Sequence, residues 1–206
     1  MARCDNCGDK FKPVRFLQKN CLKTDCQIEE SAKKALKNLE KIKKDRTKEM
    51  RINAHSKSYK MQLQGEINKL ARKIDLKFYN SCIDCSKMFS ESKIDGGHFN
   101  SVGSNNSLRF NLHNIHAQLS SCNRSGLSGG RQLGYFRGLE MRYSKSYAEY
   151  VDTGLQNEYK NVFLNEKEIY EKLELVRKIN REFDNYEFKN SIEARYLLNK
   201  MIGIYK

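Results

Sequence analysis

The chain has 206 residues, a formal net charge of +14 and an apolar fraction of 38%. That length holds one domain or two small ones, and so little apolar material favours a modular shape over one large globule. No apolar run approaches the ~18 residues of a membrane span and no leader pattern opens the sequence, so a soluble protein of a reducing, cytoplasmic compartment is expected.

The charge is unevenly placed. Residues 155–206 hold ten Lys/Arg and nine Asp/Glu, so nearly all of the excess lies in residues 1–154. A field of that sign attracts polyanions, and nucleic acid is the expected partner. A solvated basic helix or an anionic membrane surface is the blander reading. The seven cysteines are odd in number and fall mostly in short-spaced pairs, which favours metal over disulfides.

The chain opens with Cys4, Cys7, Cys21 and Cys26 in a C-x2-C-x13-C-x4-C arrangement. Four thiolates close a tetrahedral Zn²⁺ site with no open position, so this site is read as structural. Gly8 suits the tight turn of the first knuckle. Phe11, Pro13, Val14 and Phe16 are expected to form a small hairpin core.

From Ile28 to about Met50, Ala32, Ala35, Leu36, Leu39 and Ile42 recur at helical steps, and Glu29–Lys33, Glu30–Lys34 and Glu40–Lys44 add i,i+4 support. Residues 31–60 hold eleven Lys/Arg against three acids. A narrow apolar stripe with a broad basic face, which includes Lys33, Lys37, Lys41 and Lys44, fits a helix lying along phosphates and also fits a soluble connector. A second helix over about 59–76 shows Leu63, Ile67, Leu70 and Ile74. His55, between the two, reads as a surface residue.

Cys82-Ile83-Asp84-Cys85 opens a stretch that contains Asp95-Gly96-Gly97-His98-Phe99, then Asn111-Leu112-His113-Asn114-Ile115-His116, and ends at Cys122-Asn123. Ile94 to Ser101 suggests a strand, Leu108 to about Gln118 its return, and 131–151 a helix stopped at Gly154. Two amphipathic helices follow, one burying Leu173, Val176, Ile179 and Phe183, the other Ile192, Tyr196, Leu197 and Met201. The near-neutral tail argues for packing or self-association. A histidine base beside an asparagine whose amide oxygen suits a hard cation describes phosphodiester hydrolysis.

The ordered set of CxxC, DGGHF and LRFNLHNIHAQ ending in CN resembles the HNH (ββα-metal) endonucleases. With the N-terminal knuckles and the later YFRGL stretch, the chain more closely resembles the phage NinG (Rap) recombination family over most of residues 1–145. The resemblance implies a structure-selective endonuclease acting on Holliday junctions and D-loops in the host-cell cytoplasm, with Mg²⁺ or Mn²⁺ as catalytic metal and one or two structural Zn²⁺.

It implies His98 as general base, Asn114 as brace of the loop between the strands, and Asn123 as catalytic-metal ligand. Asp95 stands three residues before His98, where the family often has an acid immediately before. Strand positions i and i+3 face opposite ways, so it joins His98 only if Gly96-Gly97 bends the strand. Related chains carry a CxxC before the last asparagine, and here its first cysteine is Leu119. Cys82, Cys85 and Cys122 then need His116, His113 or a water to complete a second zinc, or that zinc is lost.

His113 on its own reads as a surface residue, and His116 divides among zinc ligand, catalytic-metal or phosphate contact, and core filler. The glycines beside His98 are read as space for a substrate backbone. Arg109, Arg124 and Arg131 surround the expected site as phosphate contacts. Symmetrical cleavage would require a homodimer. The expected fold is α+β, mostly helical: a zinc knuckle in 1–30, a basic helical region in 31–78, a ββα-metal core in 79–152 and a helical region in 153–206. The competing class is a zinc-stabilised protein that binds branched DNA through a decayed HNH core and does not cut.

Overall fold

A computed structural model of the chain describes residues 1–54, 56–90, 93–125 and 132–205. Arg131 and His55 lie outside the described residues. The fold is α+β and mostly helical, with two small two-stranded sheets. The contacts divide the chain into two compact units, Met1–Ala54 and His55–Lys206.

In the first unit, β1 (Ala2–Arg3) pairs antiparallel with β2 (Lys10–Phe11). Gly8, at φ +76°, turns the chain between them, a conformation free of the Cβ clash that other residues meet there. Phe11 packs against the buried Cys4, Cys21 and Cys26. Val14 and Phe16 do not join it and are exposed, contrary to the expected hairpin core. A single helix, α1 (Thr24–Ala54), follows. Glu29–Lys33 at 2.8 Å and Glu30–Lys34 at 2.6 Å close two of the expected pairs. The apolar stripe lies open along the helix, with Leu36 62%, Leu39 53% and Ile42 61% exposed.

The second unit is built on α2 (Ser56–Phe78). Leu63, Ile67, Leu70, Ala71 and Ile74 make its core face, as their spacing requires, and bury against Ile169, Leu173, Val176 and Ile179 of α7 (Glu166–Glu182). Each such side chain contributes roughly 1.5–3 kcal/mol on leaving water. The capping box of Asn165 and Glu168 opens α7.

The last helix, α8 (Ser191–Ile202), ends on Gly203 at φ +67°. It presents the opposite face from the one expected. Ala194, Arg195, Leu198 and Ile202 are buried, whereas Ile192, Tyr196, Leu197 and Met201 are 37–59% exposed. The reason is Arg195, which is fully buried and donates to the Leu112 and Ile115 carbonyls and to Asp75 of α2. An unpaired arginine could not enter a core, but here the main chain and a carboxylate receive it.

The second sheet packs on α2. β3 (Ile94–His98) pairs antiparallel with β4 (Ile115–Leu119) in continuous register from Ile94↔Leu119 to His98↔Ile115. Both strands are shorter than expected, because the segment before β4 is taken up by two 3₁₀ turns, Asn106–Leu108 and Leu112–Asn114. β4 passes directly into α3 (Ser120–Ser125), so the order is ββα. The expected helix over 131–151 is two, α4 (Gln132–Arg142) and α5 (Lys145–Glu149), with Ser144 capping the second. Gly154 does not stop it. A π turn, Tyr150–Gly154, carries the chain into α6 (Leu155–Glu158). α4, α5 and α6 bury Tyr135, Leu139, Tyr147, Ala148 and Leu155, with Val151 of the π turn, against Ile83, Phe99 and Leu108.

Candidate metal centres and the ββα site

The four N-terminal thiols lie within 4.8 Å of one another. Cys4–Cys26 and Cys7–Cys21 are separated by 3.8 and 3.7 Å between sulfurs. Four sulfurs ~2.3 Å from a common zinc stand about 3.8 Å apart along each tetrahedral edge, so the cage matches the ion. The backbone N–H of Cys7 and that of Cys21 (3.3 Å from Sγ) draw the Cys4 thiol down to about 6, so a thiolate already forms near neutral pH. This cysteine cluster could hold Zn²⁺.

Cys82, Cys85 and Cys122 form a second group within the same limit. Its knuckle repeats the first: Ser86 N–H reaches the Cys82 carbonyl at 3.0 Å with φ +58°, as Gly8 N–H reaches that of Cys4. Leu119 contributes its backbone N–H to Cys82 Sγ at 3.3 Å and packs its side chain against Phe89. No histidine completes the group among the described residues. His116 leaves β4 on the other face, fully buried, with Nδ1 3.1 Å from the Tyr135 hydroxyl and Nε2 without a partner. His113 is not on the surface either. It is 7% exposed and 3.0 Å from the Tyr147 hydroxyl. Burial depresses both imidazoles, that of His113 to about 3, so both are neutral.

In the ββα segment, alternation along β3 decides what meets what. Asp95 and Gly97 face α3, and Asn123 Nδ2 donates to Asp95 Oδ2 at 3.2 Å. Gly96 and His98 face α2. The strand does not bend, so Asp95 does not join His98. It joins Asn123 instead.

A Cβ on Gly96 would stand 2.9 Å from the Asn68 carbonyl oxygen, and one on Gly97 would stand 2.0 Å from Gln118 Oε1 and 3.3 Å from Asn123 Oδ1. The two glycines therefore admit α2 on one side and two amide oxygens on the other. They leave no space for a substrate backbone. Gln118, opposite Asp95 in register, is an oxygen donor missed in the sequence. Its signal was there, two residues along β4 from His116 and hence on the same face.

His98 is held from its far side. Nε2 lies 2.9 Å from the Arg109 carbonyl and 3.2 Å from Gln64 Nε2. The carbonyl can only accept and the Gln64 NH2 can only donate, so one nitrogen cannot serve both; with the shorter contact made, Nε2 carries the proton, the Gln64 contact is no hydrogen bond, and Nδ1 is the basic nitrogen. Among the described residues Nδ1 has no hydrogen-bond partner. Burial lowers the pKa of His98, with the Arg109 charge adding to it, so the ring is neutral at pH 7.

Asn114 is wholly buried. Its Oδ1 accepts from Asn100 N–H at 2.8 Å, and Nδ2 donates to the Asn100 and Leu108 carbonyls at 3.0 and 3.3 Å. It ties together the two ends of the connection between β3 and β4. Asn100 is tied in turn to the Val151 carbonyl of the π turn at 3.0 Å.

Arg109 is half-buried, with Nε on Asn106 at 3.0 Å, and Arg124 is exposed on α3. Lys33, Lys37, Lys41 and Lys44 are exposed on α1 of the first unit.

A family model described as bacteriophage lambda NinG protein matches residues 1–182. The chain belongs to the NinG family. Membership makes it a phage recombination-related protein. Neither the curated proteins nor the solved structures gave a match. Among the described residues no helix is long and apolar enough to cross a membrane.

Proposed function

We propose that this NinG-family chain is a metal-dependent endonuclease that cuts branched DNA intermediates of recombination. The observation that carries the reading is the state of His98: neutral, oriented through Nε2 by the Arg109 carbonyl, and unpartnered at Nδ1. A histidine in that state takes a proton from water, and general-base catalysis is worth 10²- to 10⁴-fold in rate.

Asp95 and Asn123, with Gln118 Oε1 beside them, offer the oxygen donors a hard divalent cation takes, and these residues would hold Mg²⁺ or Mn²⁺. Such an ion supplies charge neutralisation at the phosphate and the departing 3′ oxygen. His98 Nδ1 accepts the proton of the attacking water, whose oxygen meets phosphorus in line with the leaving group. Asn114 fixes the loop that bears Arg109, and Arg109 and Arg124 hold flanking phosphates. Two equivalent cuts in one junction need two such sites, which a homodimer provides.

The second reading, a protein that binds branched DNA without cutting it, is favoured by one observation. His98 leaves β3 on the face opposite the Asp95–Asn123 pair, and that pair already satisfies itself with a hydrogen bond.

End-labelled four-way junctions and D-loops incubated with Mg²⁺ separate the two. Nicking that His98→Ala abolishes is expected. Tight binding with no nicks at any metal concentration establishes the second reading, and equal nicking by the variant removes His98 from the chemistry.

A further inference from the structure

The loop between the N-terminal cysteine pairs carries a feature that neither zinc binding nor phosphodiester chemistry uses. Phe16 is 95% exposed, with Leu17 79% exposed beside it. Its position is built into the chain. Gln18 Oε1 accepts from the backbone N–H of Val14 at 2.8 Å and of Arg15 at 3.3 Å, and Gln18 Nε2 donates to the Asn20 carbonyl at 2.7 Å. Leu17 takes φ +61°, a left-handed conformation that a leucine adopts only when its surroundings impose it. A braced, strained turn thus holds an aromatic ring out in water.

The ring borders a groove of about 690 Å³ whose walls carry Arg15, Lys19, Lys33, Lys34 and Lys37 against Asp5 and Glu30. Lys33 and Lys37 also begin the basic face of α1. At 100° per residue Lys33, Lys37, Lys41 and Lys44 fall within about 80° of one another, and at ~1.5 Å per residue they span about 16 Å, enough to follow several phosphates of one strand. A polyanionic strand following that face arrives at Phe16.

We propose that Phe16 is a stacking platform for an unpaired DNA base, reached by a strand whose phosphates lie along the lysine face of α1. The cations select the polyanion. The flat ring selects a base that has no stacked neighbour, because a base inside a duplex has both of its faces covered. The platform directs the protein to the unpaired nucleotides of a branch. The inference rests on the DNA-binding part of the proposed function and not on cleavage.

The chain contains no tryptophan, so Phe16→Trp places a single indole at the platform. Its emission is recorded while single-stranded DNA, a flapped duplex, a fully paired duplex and single-stranded RNA are titrated in at matched salt, with binding followed independently by anisotropy of labelled DNA. Strong quenching by the single strand and the flap, and little by the bound duplex, is expected. Phe16→Leu, which keeps the apolar bulk, should bind single-stranded DNA about tenfold more weakly and duplex unchanged. Equal quenching by duplex, binding without quenching, an unaltered Phe16→Leu affinity, or a response to RNA alone would each overturn the proposal. If none of the DNAs binds the wild-type protein, the DNA-binding reading fails together with it. Loss of cleavage alone leaves the platform standing.

Discussion

Asp75 of α2 and Arg195 of α8 form an ion pair in which neither side chain retains any solvent exposure. Asp75 also accepts the Ala117 N–H of β4 at 2.6 Å, so one carboxylate joins two helices and the sheet. Removing one partner of a buried pair leaves the other charge stranded, which costs roughly 3–5 kcal/mol. Asp75→Ala should therefore lose that much stability in urea unfolding. A double replacement, Asp75→Leu with Arg195→Met, should cost clearly less than either change alone.

Two glycines predict opposite behaviour. A Cβ on Gly138 of α4 would fall 1.6 Å from the Ile83 carbonyl oxygen, main chain that cannot step aside, whereas one on Gly97 meets first the end of the Gln118 side chain. Gly138→Ala should lose about 3 kcal/mol or fail to accumulate as folded protein. Gly97→Ala should fold and melt near the wild type while weakening Mg²⁺ dependence of any cleavage, because it crowds Asn123 Oδ1. Thermal melts of both, with metal titration of the second, test this.

The two cysteine groups should hold zinc unequally. Four thiolates close a shell, while three leave a position that none of the described histidines, cysteines or carboxylates fills. Native mass spectrometry during chelator titration should show the Cys82, Cys85 and Cys122 ion leaving first, and Cys122→Ser should remove that ion alone. Cys7→Ser should instead unfold β1 and β2, since the binding energy of a structural zinc, about 10 kcal/mol or more, is also folding energy.

Acid should destabilise the second unit through His113. Its folded pKa of about 3 lies below the ordinary ~6.5, so the unfolded chain binds the extra proton. The stabilising contribution is complete above pH 6.5 and is lost as pH falls from there toward 3, by about 1.4 kcal/mol per unit. At constant zinc, His113→Gln should unfold in urea with a shallower dependence between pH 6.5 and 5 than the wild type. Parallel curves for the two would sink this assignment.

His98 titrates in the same direction, because burial favours its neutral form. If it is the base, the acid limb of the nicking rate lies below the usual histidine range, near pH 6.5. A limb at or above that value would assign the proton to another group.

What could be read from the sequence was what local spacing controls. The first cysteine cluster follows from four cysteines at fixed separations, and the core face of α2 follows from Leu63, Ile67, Leu70 and Ile74. The ββα order followed from the resemblance. What misled was chemistry settled by distant partners. Tyr196 and Leu197 outweighed Arg195 on any hydropathy count, and only the carbonyls of Leu112 and Ile115 with Asp75 reverse that choice. His113 read as a surface residue and is buried, and of the readings open for His116 only the core one agrees with its full burial, because tyrosines from α4 and α5, 19 to 34 residues away, supply hydroxyls to both rings. Asp95 was measured against His98 when its partner was Asn123 of α3, a contact that depends on how α3 folds back on β3 and that the sequence does not display.

The family model ends at residue 182, yet beyond it Arg195 caps the carbonyls of Leu112 and Ile115, Asn199 receives the Leu112 N–H and the Tyr205 hydroxyl receives that of Phe110. The hairpin that carries His98 and Asn114 is thus held in part from outside the stretch the family model covers, and a chain shortened to residue 182 would leave these carbonyls and N–H groups to water.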